Sequence, residues 1–321
     1  MVGIKGSHND RAPGCPICKS SSRHCADAPG WGEWRACVKC GIEFVQPMRL
    51  PEDARTMFDG AYRGQRHEAA FYDFNRNLRR RAALVNDPAL GFWTPAYSAV
   101  LEWLVGRFAR GATVLELGCG PGLFLHALRN RGFNAVGLDV AREVVELNRR
   151  DGFTVWHGGV ESVSADWVRP DAVVSFFMLH HLENPMGFFA AIRSLWPWAP
   201  LAVAQYGPGR RSPLRSAPPR NLTHWNAGCL RTALEISGYR PAVSDLPSSG
   251  VEQPFLVPLR RILKPTVGVP SLFRLNKRIE RQLLPRLLQP LRVNAEVVLA
   301  LADPAQPGLR DGPQEDAESR A

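Results

Sequence analysis

No apolar run in these 321 residues approaches the ~20 that a membrane-spanning helix needs. The opening residues, MVGIKGSHND, lack the apolar stretch of a secretory signal. A phosphate loop of the form G-x-x-x-x-G-K-[ST] is absent, and so are internal repeats. These absences argue against a membrane span, a secreted chain and a P-loop nucleotide site, and a cytoplasmic location is expected. The seven cysteines should then be thiols or metal ligands rather than disulfides. The length, with 45% apolar residues, suits one large domain and a small one.

Acidic residues are scarce in one segment. Between Phe255 and Val293 nine lysines and arginines stand against a single acid, Glu280, and this accounts for most of the net charge of +10. The basicity therefore belongs to that segment and does not mark the whole chain as a nucleic-acid binder. Leu272, Leu275, Ile279 and Leu283 share one helical face there, with Arg274, Lys277, Arg278 and Arg281 elsewhere. Three readings stay open: a cap packed on the domain or on a second copy, a peripheral contact with anionic lipid on the inner face of the membrane, and RNA binding. The segment's only aromatics, Phe255 and Phe273, give little for base stacking. A smaller basic run, Arg76–Arg81, reads as solvated surface or as a contact to an anionic substrate.

The stretch LELGCGPG (Leu115–Gly122) follows an apolar strand, ATVLEL, and precedes a helical pattern, LFLHALRNRG. Gly118, Gly120 and Gly122 thus lie at a strand-to-helix turn, where backbone can approach a ligand closely. A dinucleotide loop would need a third glycine at position 123, which is Leu. A second strand, NAVGLDV, brings Asp139 19 residues after Gly120, where an acid can accept both ribose hydroxyls. A ribose without a pyrophosphate suggests a nucleoside cofactor.

Cys15-x2-Cys18 and Cys37-x2-Cys40, 18 residues apart, have the spacing of a four-thiolate zinc site. Such a closed site is structural, and metal would supply folding energy to a module too small for a large core. The competing reading is a redox or metal-free remnant. Cys25, Cys119 and Cys229 have no mates and read as non-ligands.

The motifs ELGCGPG and GLDV, then PDAVVSFFMLHHLENP (Pro170–Pro185) and WNAGCLRTALEISGYRP (Trp225–Pro241), resemble in order the class I S-adenosylmethionine-dependent methyltransferases. The resemblance runs from about Val114 to Pro241. A cysteine ribbon ahead of such a domain resembles a bacterial group that includes sugar methyltransferases. It implies an α/β fold: a Rossmann-like seven-stranded sheet with a small N-terminal zinc ribbon and a helical basic insertion between the last two strands. The expected layout is a ribbon at 1–48, a helical linker at 49–95, a methyltransferase domain at 96–302 with the insertion at 248–294, and a disordered tail at 303–321.

The resemblance implies S-adenosylmethionine as cofactor. Gly118, Cys119, Gly120 and Gly122 would lie under its methionine part, Glu116 would orient its ammonium group, and Asp139 would hold the ribose. Val140, Gly159, Val160 and Phe176 would line the remainder. The family often has Asp near the adenine amino group, but here Gly159 stands in that place, which leaves backbone groups and apolar walls to hold the adenine.

For methyl transfer to a hydroxyl, a histidine suits proton removal. His181, after the apolar strand VVSFFML, matches the family's histidine, while His180 replaces its Glu; His224 is the next candidate, and Tyr206 is weaker. The Tyr-x-Glu-His element of the sugar C-methyltransferases is replaced by Pro218, Arg220 and Asn221. O-methylation of a small or glycan-like acceptor is therefore the expected reaction. An RNA methyltransferase and a non-catalytic interaction protein on the same scaffold remain as alternatives.

Overall fold

The computed structural model describes residues 14–49, 94–164, 166–207, 218, 221–246 and 297–305. The expected linker except its ends, the basic insertion and the chain beyond residue 305 lie outside the described residues.

Near the N-terminus, one cysteine turn precedes and a second interrupts an antiparallel ribbon of β1 (Ser22–Ala28), β2 (Gly32–Cys37) and β3 (Glu43–Gln46). The larger sheet is built from β4 (Thr113–Leu117), β5 (Asn134–Asp139), β6 (Thr154–His157), β7 (Ala172–Phe176) and β8 (Leu201–Tyr206), all parallel. A two-residue strand, β9 (Thr223–His224), lies outside this sheet and pairs with β3 of the ribbon. The large sheet closes with β10 (Tyr239–Leu246) and β11 (Val297–Pro304), and β11 is antiparallel to both β8 and β10. The order is β10-β11-β8-β7-β4-β5-β6. The connections reverse direction between β4 and β7, so a crevice opens beyond the carboxyl end of β4, where the glycine loop lies.

Strand residues alternate between two apolar layers, as a period of two requires. Val114, Val174, Ala202 and Leu299 pack under α1 (Thr94–Arg107), α2 (Leu123–Asn130) and α3 (Arg142–Arg150), through residues such as Leu104, Phe124 and Val145. Leu115, Val173, Val203 and Val298 face the opposite side, against α4 (Pro185–Leu195) and α5 (Ala227–Ile236). Cys15, Ile17, Ile42 and Phe44 of the ribbon belong to this second layer, together with Trp225 and Leu230. The ribbon thus shares a core with the sheet domain instead of standing apart from it.

Two boundaries differ from expectation. β7 ends at Phe176, because Phe177 turns into the left-handed region at φ 53°, and a single 3-10 turn follows at Leu179–His181. The last strand continues past Ala302: Asp303 and Pro304 pair with Arg240 and Tyr239, and Asp303 also meets Arg107. These two residues, expected in the tail, are part of the sheet.

Candidate active site

The glycine loop is shaped by its own backbone and by one asparagine. Leu138 O of β5 accepts from the N–H groups of Gly118 and Cys119 at 2.8 and 3.0 Å. Gly122 lies at φ 76°, and a Cβ there would fall 2.0 Å from Asn148 Oδ1, so only glycine fits. Asn148, fully buried on α3, donates through Nδ2 to Gly120 O at 2.8 Å and reaches Cys119 Sγ at 3.8 Å. Sequence inspection missed Asn148: it reads as one more polar residue in a charged helix.

Two carboxylates flank this loop. Asp139, at the end of β5, accepts from Gly120 N–H at 2.8 Å on one oxygen and from Ala141 N–H at 2.9 Å on the other. Burial raises its pKa, and those N–H groups oppose the rise. Glu116 is 2% exposed, and its Oε2 has no hydrogen-bond partner among the described residues. Its pKa is pushed well up, first by burial and then by the charge of Asp139. An orphaned carboxylate oxygen beside a glycine loop fits a cationic ligand group. Each oxygen of Asp139 carries one N–H bond and retains a lone pair for a hydroxyl. The residues present therefore fit the two ends of an amino-acid nucleoside.

Other expected cofactor residues are placed as follows. Val140 is half exposed beside Asp139, and Val160 is buried in a 3-10 turn, Val160–Ser162. Gly159 is extended just before that turn, and a Cβ on it would meet the Glu161 carboxylate at 2.0 Å. Phe176 is 6% exposed and packs with Tyr97 and Phe124 at ring distances of 4.7 and 4.6 Å, as part of an aromatic core cluster.

The candidate histidines gather beyond β7. His180 and His181 have ring centres 3.9 Å apart, and Tyr206 lies 5.2 Å from His180. His180 Nδ1 lies 3.0 Å from Gln205 Oε1 and donates to it. Burial holds the His180 pKa well below the ordinary range, reinforced by His181. Phe177 stacks on Tyr206 at 4.6 Å. Its left-handed backbone, unusual for a bulky residue, costs ~1–3 kcal/mol, which the surrounding packing must offset. His224 belongs to a different element, β9, and its Nδ1 lies 3.1 Å from Glu43 Oε2.

The four cysteine sulfurs of Cys15, Cys18, Cys37 and Cys40 lie within 4.8 Å of one another. The Cys15–Cys40 and Cys18–Cys37 pairs are 3.6 and 3.5 Å apart. A tetrahedron with Zn–S bonds of ~2.3 Å has edges of about 3.8 Å, so the donor set fits zinc. Backbone N–H groups of Ile17 and Cys18 point at Cys15 Sγ, and those of Lys39 and Cys40 at Cys37 Sγ. The Cys15 thiol is lowered to about 5, first by its hydrogen bond with Cys40. Cys25 is exposed, while Cys119 and Cys229 are buried packing residues outside the cluster.

A seven-stranded sheet in this order, with a glycine loop and an acid at adjacent strand ends, defines the class I methyltransferase fold. Residues 74–206 match a family model described as "Methyltransferase domain". Residues 74–206 are thus similar to a methyltransferase domain family, and the sheet has the class I methyltransferase fold. It is 30% identical over 116 residues to a ribosomal protein L11 methyltransferase of Cupriavidus taiwanensis, covering 34% of this chain and 37% of that protein. A ubiquinone biosynthesis O-methyltransferase of Roseobacter denitrificans is 27% identical over 92 residues, 27% of this chain and 37% of that protein. The chain thus spans little more than a third of the length of these curated relatives. The solved structure of Haemonchus contortus phosphoethanolamine N-methyltransferase 2 with S-adenosyl-L-methionine gives a TM-score of 0.50 at 15% identity, over 86% of this chain and 64% of that one. At that identity the likeness is one of fold. Among the described residues no helix is long and apolar enough to cross a membrane.

Proposed function

We propose that this protein binds S-adenosylmethionine and transfers its methyl group to a hydroxyl of a small or glycan-like acceptor. The observation that carries the reading is the buried, unpartnered Glu116 Oε2 next to Asp139 at the glycine loop. Glu116 meets the ammonium end and Asp139 the ribose hydroxyls. S-adenosylmethionine, when bound, supplies an electrophilic methyl on a sulfonium. The chain's own task is to align the acceptor oxygen, keep water out and take up the hydroxyl proton. His181 takes that proton, with His180 beside it held neutral by burial. Cys15, Cys18, Cys37 and Cys40 hold a structural zinc ion.

Calorimetry with S-adenosylmethionine and S-adenosylhomocysteine tests the cofactor half of the proposal. An absence of binding to either removes it and leaves a scaffold protein. A methyl-label screen of nucleotide-sugars, lipid-linked glycans and RNA tests the acceptor half, and labelled RNA in place of a glycan would overturn it. His181→Ala is expected to lose methyl transfer by at least ~100-fold while cofactor affinity is kept, in line with the loss of a general base. Undiminished turnover in that variant would remove His181 from the reaction.

Binding should also be linked to protons. The folded pKa values of Glu116 and Asp139 are both raised, chiefly by burial. In the empty protein these groups favour folding below the ordinary carboxylate range, and that contribution is lost as pH rises through their raised folded values. A bound ammonium favours ionised Glu116, so cofactor binding expels protons and weakens on acidification. Calorimetry in two buffers of different ionisation enthalpy is expected to show proton release, and the release should shrink in Glu116→Gln.

A further inference from the structure

Gln205 ends an apolar run in β8. Leu201, Ala202, Val203 and Ala204 before it are all buried, and Gln205 is buried as completely, at 0% exposure. By alternation it follows Leu201 and Val203 onto the layer that the sheet shares with the ribbon. An apolar side chain would extend that layer without desolvating an amide. Only half of the amide is used inside the fold. Its Oε1 accepts from His180 Nδ1 at 3.0 Å, whereas its Nε2 has no hydrogen-bond partner among the described residues. A buried donor without an acceptor is costly, and native folds keep few of them.

The amide lies at the crevice end of its strand. Ala204 pairs with Phe176, the last residue of β7, and Ala204 O accepts from Phe177 N–H at 2.8 Å. Gln205 and the histidine turn therefore stand at the carboxyl ends of two adjacent parallel strands, where sheets of this kind bind ligands. The turn is held from its other side as well. Leu222 N–H donates to His180 O at 2.8 Å, and Thr223 Oγ1 donates to Leu179 O at 3.4 Å. The His180 ring centre is 3.9 Å from that of His181 and 5.2 Å from that of Tyr206. Nε2 shares the amide plane with Oε1, so the unused donor lies next to His180 and to the rings gathered around it.

We infer that Gln205 is a contact of the methyl acceptor: its Oε1 holds His180 with the proton on Nδ1, and its Nε2 donates to an oxygen of the acceptor other than the one methylated. The inference rests on the methyl-transfer reading and narrows its substrate. The molecule carries the reacting hydroxyl and, close to it, a second oxygen with a free lone pair, either hydroxyl or carbonyl. A sugar ring meets that requirement, whereas a lone alcohol on an apolar frame does not.

The test uses the full chain. Nitrogen-15 imidazole spectra at about pH 8, where imidazoles are neutral, are assigned by comparison with His180→Phe. Wild type is expected to show His180 with its proton on Nδ1. Gln205→Met, of similar size but without the amide, is expected to lose that preference. Methyl label is then followed onto nucleotide-sugars and lipid-linked glycans, with 1-octanol as an alcohol of a single oxygen. Label on the sugar-bearing pools is expected to fall by at least ~10-fold in Gln205→Met. In the His180→Phe background the same substitution should still cost about tenfold, because the donor touches the acceptor directly and not only through His180. S-adenosylhomocysteine affinity should be unchanged in all variants. If Gln205→Met does not fold, Gln205→Asn, whose shorter amide withdraws from His180, takes its place. A wild-type His180 with its proton on Nε2, label on 1-octanol equal to that on the sugars, no label on either sugar-bearing pool, or no further loss in the His180→Phe background would overturn the inference. S-adenosylhomocysteine failing to bind wild type would instead overturn the underlying methyltransferase reading, whatever the His180 tautomer.

Discussion

Asp139→Ala is expected to lower S-adenosylhomocysteine affinity by ~100- to 10,000-fold, the equivalent of two hydrogen bonds to a charged group. The size follows from a double role. In the empty protein each carboxylate oxygen already receives a backbone N–H, from Gly120 and from Ala141. These bonds tie the glycine loop to the start of α3, so the side chain shapes the loop and, on the proposed reading, also offers lone pairs to the ribose. Alanine removes the ribose acceptors and leaves both N–H groups without a partner. Asp139→Asn separates the two roles. Its single oxygen can serve one N–H, while its NH2 faces the other, so an intermediate loss is expected. Calorimetry supplies the number, and circular dichroism checks that the fold survives. Wild-type affinity in Asp139→Ala would mean that the ribose lies elsewhere.

Cys40→Ser is expected to lower the thermal midpoint of the full chain by about 10 °C or more, for a loss of ~4 kcal/mol in a domain of this size. Zinc content should fall from one ion per chain to near none. An isolated ribbon would lose only itself, but here the loss spreads. Cys15 and Cys40 belong to the apolar layer that also holds Trp225, Cys229 and Leu230. Gly41 O, next to Cys40, is bonded by Asn226, the residue that caps α5 by accepting from Cys229 N–H. Loosening the second cysteine turn therefore disturbs the start of α5 and the strand that carries His224. Cys25→Ser is the control, since Cys25 is exposed on β1 and outside the cluster. Differential scanning calorimetry with metal analysis gives both readouts. Equal midpoints for the two variants would show that the four sulfurs hold no structural metal.

The parts of the site that were legible beforehand are those written over short spacings. Gly118, Gly120 and Gly122 lie within five residues, and their positive φ angles of 72°, 47° and 76° explain why glycine recurs. Each cysteine pair closes its own turn, so C-x2-C is readable without knowing the fold. Asp139 was found by its distance along the chain from the loop, because a strand–helix–strand unit has a narrow range of lengths. The aromatic cluster of Phe176 with Tyr97 and Phe124 has no such short-range signature, since its members lie on three elements. The abrupt end of β7 was hidden as well, since an apolar run does not announce that Phe177 leaves the extended region.

Local chemistry therefore determined the order of strands and helices, the glycine turn, the acid that follows it and the grouping of the cysteines. Each depends on residues close enough in the chain to constrain one another's backbone. Tertiary structure alone decided that the ribbon and the sheet share a core, that Asn148 clasps the loop, and that Glu43 meets His224 across 181 positions. Such contacts are made by surfaces that come together only when the layers pack, and no spacing rule connects their members in advance.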